Sequence, residues 1–453
     1  MKKQENYCTF AAMINLPEKF KTQMQNLLGK TAWNDFAEAL QQPAPVSIRY
    51  NRYKNATPQD GDDVAWCNAG KYLAQRPVFT LDPLLHAGIY YVQEASSMFL
   101  EQVAALWREK TDLRILDLCA SPGGKSTHLA DLLPADSLLV SNETVNSRRG
   151  PLIENLTKWG NPNVVITHNA AEDFSTLTGF FDVMLVDAPC SGEGMFRKDP
   201  ASIGEWSEEQ IRRCVERQRH IVASAWDALA DGGLLLYSTC TYNREENEDN
   251  VCWILEHLGA EMVTLPLCDE WNITANEYGY RFFPHKTKGE GFFISIMRKR
   301  NPTQVIKQEG KLPRFNVLNC SPEWVRGNFI FVYEDNAIQA FPPAFMQDIA
   351  LLKQHLWVAQ AGTPIGELKG EDIAPSAALA FSTALYCDSF PCEEVDLNTA
   401  LRFLRRDAIT LTQQPRDYIL IRYQNVPLGF VKNLGVRSNN LYPPNWRIRM
   451  HIC

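Results

Sequence analysis

"ILDLCASPGGKSTHLA", residues 115 to 130, decides how this chain is read. It carries an acid on a short apolar run, then a turn of small residues with Gly123 and Gly124, then a helical pattern. Such a turn lets a ligand approach the backbone and aims helix N-terminal N–H groups at it, where α/β proteins bind ligands. Two phosphate readings fail on spacing. Gly124, Lys125 and Ser126 suit a P-loop, but Cys119 stands where its first glycine is required. The G-x-G-x-x-G dinucleotide fingerprint is absent. The segment therefore predicts a site for a nucleoside-type cofactor.

The alternation continues to residue 299. Candidate strands are "LRILDLC" (113–119), "SLLVSNE" (137–143), "NVVITHN" (163–169), "FDVMLVDAP" (181–189), "GGLLLYSTC" (232–240) and "FFISIMRK" (292–299), with helices beginning near Gly124, Val145, Ser207 and Arg244. Strands alternating with helices specify an α/β, doubly wound sheet. The helix from Ser207 opens with a Ser-x-x-Gln capping box and is expected to end at Gly232 and Gly233. A small N-terminal domain, residues 1–80, with a strand in "APVSIRYN", precedes a core placed at 81–300. The polar, basic "RKRNPTQVIKQEGKLPR" (298–314) predicts a linker, and 313–453 reads as a mixed α+β region.

A length of 453 residues allows two or three domains, and 45% hydrophobic with 22% charged residues excludes disordered and collagen-like classes. The net charge of -8 gives no global attraction for nucleic acid. The end of the chain differs: residues 400–453 hold nine Lys and Arg against Asp407 and Asp417. Aromatics interleave with those charges in "YILIRYQ" and "NNLYPPNWRIRM", which suits a nucleic-acid surface as well as a merely solvated face. No apolar run approaches the roughly 18 residues of a membrane span. A cytoplasmic monomer with no membrane contact is expected. Twelve scattered cysteines with no C-x-x-C pair predict no metal site and fit a reducing compartment.

Two of those cysteines stand at strand ends. The fourth strand leads into "VDAPCSGEGMFRKDP" and the fifth into "LYSTCTYNREENE", so paired strands about 4.8 Å apart would bring Cys190 and Cys240 to one cleft with Asp187 and the glycine loop. Glu143, at the tip of the second strand, would accept hydrogen bonds from both hydroxyls of a ribose or else cap the following helix. A thiol site of this kind suits a pyrimidine C5, which is unreactive until a nucleophile adds to C6; cysteine can add and leave again. A carboxyl group at ring N3 would stabilise the developing charge. The residues alone leave open which thiol attacks.

"DLCASPGGKSTH", "VDAPCSGEGMFRKDP" and "YSTCTYNREENE" resemble, in order and spacing, the motifs of the Sun-type (Nol/Nop/Sun) RNA cytosine-C5 methyltransferases. "YYVQEASSM" (90–98) and "RFFPHKTKGEGFF" (281–293) extend the resemblance. "AQAGTPIGELKGEDIAPSAALA" and "VPLGFVKNLGVRSNNLYPPNWR" are similar to the RsmF-like branch, which acts on small-subunit ribosomal RNA and carries a PUA-like RNA-binding C-terminal region. The resemblance implies a Rossmann-like class I methyltransferase core and S-adenosyl-L-methionine as methyl donor. It implies that Cys119, Ala120, Ser121, Pro122, Gly123, Gly124, Lys125 and Glu143 hold this cofactor, with Asp187 between cofactor and base and Lys125 reaching toward the cytosine. It makes Cys240 the nucleophile and Cys190 the helper in product release. Where many relatives carry an aspartate for the adenine, this chain has Asn169 and Ala170; the Asn169 amide oxygen is expected to take over. The alternatives are the same chemistry on transfer RNA and a non-catalytic RNA-binding assembly factor; the intact set of cysteines, Asp187, Lys125 and glycine loop argues against the latter.

Overall fold

The computed structural model describes residues 14–55, 60–134, 136–300, 312–318, 322–370, 372–412 and 415–451. Most of the expected linker, and Cys8, Cys320 and Cys453, lie outside the described residues. The central sheet has ten strands: β1 (Arg114–Asp117), β2 (Leu138–Asn142), β3 (Val164–Thr167), β4 (Phe181–Asp187), β5 (Leu229–Thr239), β6 (Ala260–Met262), β7 (Thr274–Asn276), β8 (Gly279–Phe282), β9 (Phe292–Lys299) and β10 (Val358–Ala361). Their order is β7-β8-β9-β5-β4-β1-β2-β3-β10, with β6 paired to β9. The inner five run parallel, as the alternation with helices predicts.

Alternation within the strands builds two cores. Ile115, Leu139, Ile166, Leu185 and Leu236 face Leu129 of α1 (Gly124–Leu132) and Leu152 and Leu156 of α2 (Asn146–Trp159). Leu116, Val140, Val165, Val186 and Tyr237 face Val222 of α3 (Glu208–Ala225) and Val251 and Ile254 of α4 (Glu248–Leu258). Strands covered on both faces read as near-continuous apolar runs, which is how they appear in the sequence. Ser207 caps α3 by accepting from the Gln210 N–H at 3.1 Å. The helix ends at Ala225, short of the expected glycines, because β5 already begins at Leu229 and runs through Gly232 and Gly233.

The expected boundary at residue 80 falls inside a structural unit. The strand in "APVSIRYN" (Val46–Tyr50) pairs with Cys67–Leu73 on one side and with Tyr90–Val92 on the other, so this small sheet reaches past residue 90. Arg49 docks it on the core. Its buried guanidinium pairs with Asp131 at 2.5 Å, donates to Gln93 and Thr127, and lies 4.5 Å from the Trp159 ring. A buried cation needs this many partners to repay its lost hydration.

The C-terminal region forms two further sheets, one spanning Asn316–Val317 to Asp372–Pro375 and one spanning Cys392–Glu394 to Ser438–Asn440. It is not separate from the core, because β10 comes from it and pairs antiparallel with β3. Among the aromatics of the basic end, Tyr442 is fully buried beside Phe403, so part of that pattern is packing. Arg437, Arg447 and Arg449 remain exposed. No helix among the described residues is long and apolar enough to cross a membrane.

Candidate active site

The chain leaves β1 toward β2 and β3 on one side and returns to β4 and β5 on the other. Loops that follow β1 and β4 therefore border one crevice at the carboxyl ends of the strands, the ordinary ligand position in such sheets. Asp117 ends β1 and is fully buried. One oxygen accepts from Ser126 Oγ at 2.6 Å; the other, Oδ1, has no full hydrogen bond, only the favourable approach of the Cys119 backbone. Burial pushes this carboxyl up to about 7, the neighbouring Asp187 adding to the effect and Ser126 and Lys125 opposing it. The turn that follows needs its glycine: Gly123 has φ +113°, and no side chain caps the N-terminus of α1. Ser121 and Pro122 hold the loop against α2, their carbonyls accepting from Arg148 at 2.6 Å and Asn155 at 2.8 Å. Ala120 donates to the Asn142 carbonyl at 2.8 Å, and Cys119 is a thiol that burial keeps protonated.

Glu143 follows β2 and is buried. Its Oε1 accepts from the Val145 N–H at 2.7 Å, closing a turn ahead of α2 without capping a helical N–H, while Oε2 lies 3.6 Å from Arg148. Oε2 remains the oxygen suited to a ribose hydroxyl. An uncapped helix end and an acid one unit further along suit a nucleoside. Asn169 and Ala170 are less suited than expected. The Asn169 side chain is spent on Trp357, accepting from its N–H at 2.9 Å and donating to its carbonyl at 3.1 Å. Ala170 N–H donates to Asp173 at 2.9 Å.

Pairing of Asp187 with Ser238 sets the two cysteine loops side by side. Cys190 Sγ and Cys240 Sγ stand 3.1 Å apart, and the Cys240 N–H points at Cys190 Sγ at 3.4 Å. Both are free thiols, as is every cysteine among the described residues. The hydrogen bond to Cys240, together with burial, drives the Cys190 pKa well above the usual thiol range. Beside them Lys125 Nζ pairs with Asp187 Oδ2 at 2.8 Å, and Asp187 Oδ1 accepts from Ser238 at 2.9 Å. Burial opposes the charge on Lys125, but Asp187 outweighs it and raises the Lys125 pKa.

Two buried glutamates that sequence reasoning passed over rivet these loops. Glu193 accepts from Thr241 Oγ1, Tyr242 N and Asn243 N at 2.8 Å each, and from Trp206 at 3.0 Å and Gln23 at 2.9 Å. Glu246 accepts from Ser191 N at 3.0 Å and from Gln218 and Asn243 at 2.7 Å each. Each glutamate thus ties the Cys190 loop to the Cys240 loop. Gly194 passes so close that a Cβ would lie 2.8 Å from the Cys240 carbonyl oxygen. The acids within "CSGEG" and "REENE" were the available signal.

Among the described residues, one trio of metal-capable side chains comes together: Cys67, Glu101 and His128, all buried. Arg52 already supplies the counter-charge, 2.6 Å from Glu101 Oε2, and Cys67 donates to the same carboxylate at 3.0 Å. Burial pushes the Cys67 thiol up to about 12 and the His128 imidazole down to about 3. The trio is a hydrogen-bonded junction between the N-terminal sheet and α1.

Comparison with known proteins agrees with this geometry. Family models match for the N-terminal domain of 16S rRNA methyltransferase RsmF at residues 16–95, 16S rRNA methyltransferase RsmB/F at 104–298, and the methyltransferase RsmF PUA domain at 390–448. Proteins named ribosomal RNA small subunit methyltransferase F from Citrobacter koseri and Aliivibrio fischeri are 32% and 30% identical, over 95% of this chain and 96% and 97% of theirs. A solved methyltransferase homolog from Pyrococcus horikoshii is similar at TM-score 0.54 and 26% identity, over 63% of this chain and 96% of that one. NSun6 from the same organism, solved with SFG, shares the fold at TM-score 0.53 and 22% identity, over 64% of this chain and 100% of that one. With its motifs in order, its sheet of methyltransferase type and relatives matched along nearly its whole length, the chain belongs to the RsmF branch of the Sun-type methyltransferase family.

Proposed function

We propose that the protein methylates C5 of a cytosine in small-subunit ribosomal RNA, with S-adenosylmethionine as donor, through a covalent bond between Cys240 and C6 of the base. The observation that carries the proposal is the thiol pair, two sulfurs 3.1 Å apart beside an ion-paired lysine and aspartate. Residues 119–125 and Glu143 hold the cofactor, with Glu143 Oε2 toward a ribose hydroxyl. The cofactor supplies the methyl group.

Cys240 attacks C6, and electron density moves through the ring so that C5 becomes nucleophilic. N3 takes up the proton that the Cys240 thiol gives up, the resulting N3–H donates to the Asp187 carboxylate, and Lys125 stabilises the charge that develops on the ring. Once C5 is methylated its proton leaves to a base, and the C6–sulfur bond breaks to restore the aromatic ring. Cys190 assists this release. Its sulfur lies 3.1 Å from Cys240 Sγ, which places it to return a proton to the departing thiolate.

The RNA substrate is inferred from the names of the relatives and from surface charge. A groove between the N-terminal unit and the loop after Cys190 is lined by Arg76 and Lys198, together with Arg197 and Lys288, which pair with Glu290 and Asp62. We assign residues 1–80 and the PUA region within 313–453 to RNA binding. Bisulfite sequencing of ribosomal RNA from cells with and without the gene tests the proposal. A small-subunit cytosine methylated only when the gene is present is expected; unchanged ribosomal RNA alongside an altered transfer RNA would move the substrate assignment.

A further inference from the structure

We infer that Trp357, contributed by the C-terminal region, forms a wall of the adenine subsite of the cofactor. The inference rests on reading residues 119–125 and Glu143 as the S-adenosylmethionine site. A base attached to a ribose held by Glu143 extends over the carboxyl end of the neighbouring strand, β3, where His168, Asn169 and Ala170 stand. The polar groups expected to meet it are already committed, Asn169 to Trp357 and Ala170 to Asp173. What remains open there is apolar. Val145, two residues after Glu143, is 43% exposed, and the Trp357 indole is 52% exposed.

Trp357 is nonetheless held firmly. Its backbone is clamped by the Asn169 side chain and accepts from the His168 N–H at 3.2 Å. Its ring stands edge-on to His168 with centroids 5.7 Å apart, and the Arg149 guanidinium lies 4.9 Å from it. His168 is fixed in turn by donating from Nδ1 to the Glu143 carbonyl at 2.6 Å, so the indole is tied to the Glu143 backbone through one side chain. An aromatic surface that is exposed yet positioned by hydrogen bonds, a cation and a neighbouring ring is preorganised for a flat ligand. Asn169 has thus exchanged direct recognition of the base for placement of the residue that stacks on it. The contact spans 188 residues of sequence, which makes the cofactor site a joint product of core and C-terminal region.

The test is calorimetric binding of S-adenosylhomocysteine to the full chain, beside Trp357→Ala, Trp357→Phe and Glu143→Ala, with binding of small-subunit ribosomal RNA measured in parallel. Trp357→Ala is expected to weaken S-adenosylhomocysteine roughly five- to hundredfold, the range of one base–aromatic stack. Trp357→Phe should recover most of that loss, and RNA affinity should stay within twofold. The Asn169 clamp holds backbone atoms, so both variants keep it, and a melting curve checks their folding. Unchanged S-adenosylhomocysteine binding by Trp357→Ala overturns the inference, as does a loss confined to RNA, which would give the ring to the substrate. If the unmodified protein binds no S-adenosylhomocysteine, the cofactor reading itself fails.

Discussion

Glu193 carries the heaviest structural load near the thiols, and Glu193→Gln isolates it. The side chain is fully buried and accepts five hydrogen bonds without donating any, which only a carboxylate can do. Glutamine offers one oxygen. Turned toward Thr241, Tyr242 and Asn243, it keeps three bonds as neutral ones, each about 1 kcal/mol weaker than a bond to a charged acceptor. Its NH2 then faces Trp206 Nε1 and Gln23. Gln23 can flip its own amide to answer, but the indole N–H cannot, and one unsatisfied buried donor costs about 1 to 3 kcal/mol. Removing a buried charge returns part of this sum. The net loss is about 2 to 4 kcal/mol, or about 2 to 4 °C in melting temperature for a chain of 453 residues. Because the same bonds hold the residues after Cys240, kcat should fall about a hundredfold, as expected for a displacement of about 1 Å at the reacting atoms. Differential scanning calorimetry and a single-turnover methylation assay give both numbers. A melting temperature within about 1 °C of the parent refutes the reasoning.

Cys240→Ala should abolish methyl transfer while S-adenosylhomocysteine binds within twofold of the parent; residual turnover above background by calorimetrically intact protein contradicts the assignment. Asp117 holds its proton to about 7 in the folded chain against 3.8 ordinarily, so between those values the native state binds the extra proton. Stability from this group is therefore present below about pH 4 and is lost as pH rises to 7, by at most about 4 kcal/mol. Asp117→Asn removes that dependence, and urea titrations at pH 5 and 7.5 should show the parent losing stability relative to the variant; parallel behaviour argues against a protonated Asp117. Exchange of the exposed Arg437, Arg447 and Arg449 for alanine should flatten the salt dependence of RNA binding by about 2 to 3 in logarithmic slope. An unchanged slope would reduce these arginines to a solvated face. Point changes are preferable to truncation at residue 400, because Ala400, Phe403 and Leu404 share a core with Ile48 and Tyr90 of the N-terminal unit.

The parts of the fold legible in the sequence were those written locally. Apolar runs ending in small or polar residues mark β1 to β5, and strand adjacency then brings Cys190 to Cys240 without further information. Long-range pairing was illegible. "VAQA" is too short to announce a strand, and its partner β3 lies in a different region of the chain. Tyr90–Val92 was assigned to the core on its motif because nothing in three residues shows which sheet they join. The fate of Asn169 followed from β10, so its side chain could not be placed before that pairing was known. Glu193 and Glu246 escaped notice because glutamates are seldom fully buried; they are buried here only because converging backbone N–H groups make an acceptor necessary.

The central claim is that Cys240 forms the covalent bond and Cys190 breaks it. Cys190→Ala incubated with S-adenosylmethionine and small-subunit ribosomal RNA should accumulate a protein–RNA species that survives denaturing electrophoresis. Digestion and mass spectrometry should place the nucleotide on the peptide carrying Cys240. An adduct that appears with Cys240→Ala instead, or one mapped to any other residue, would contradict the account.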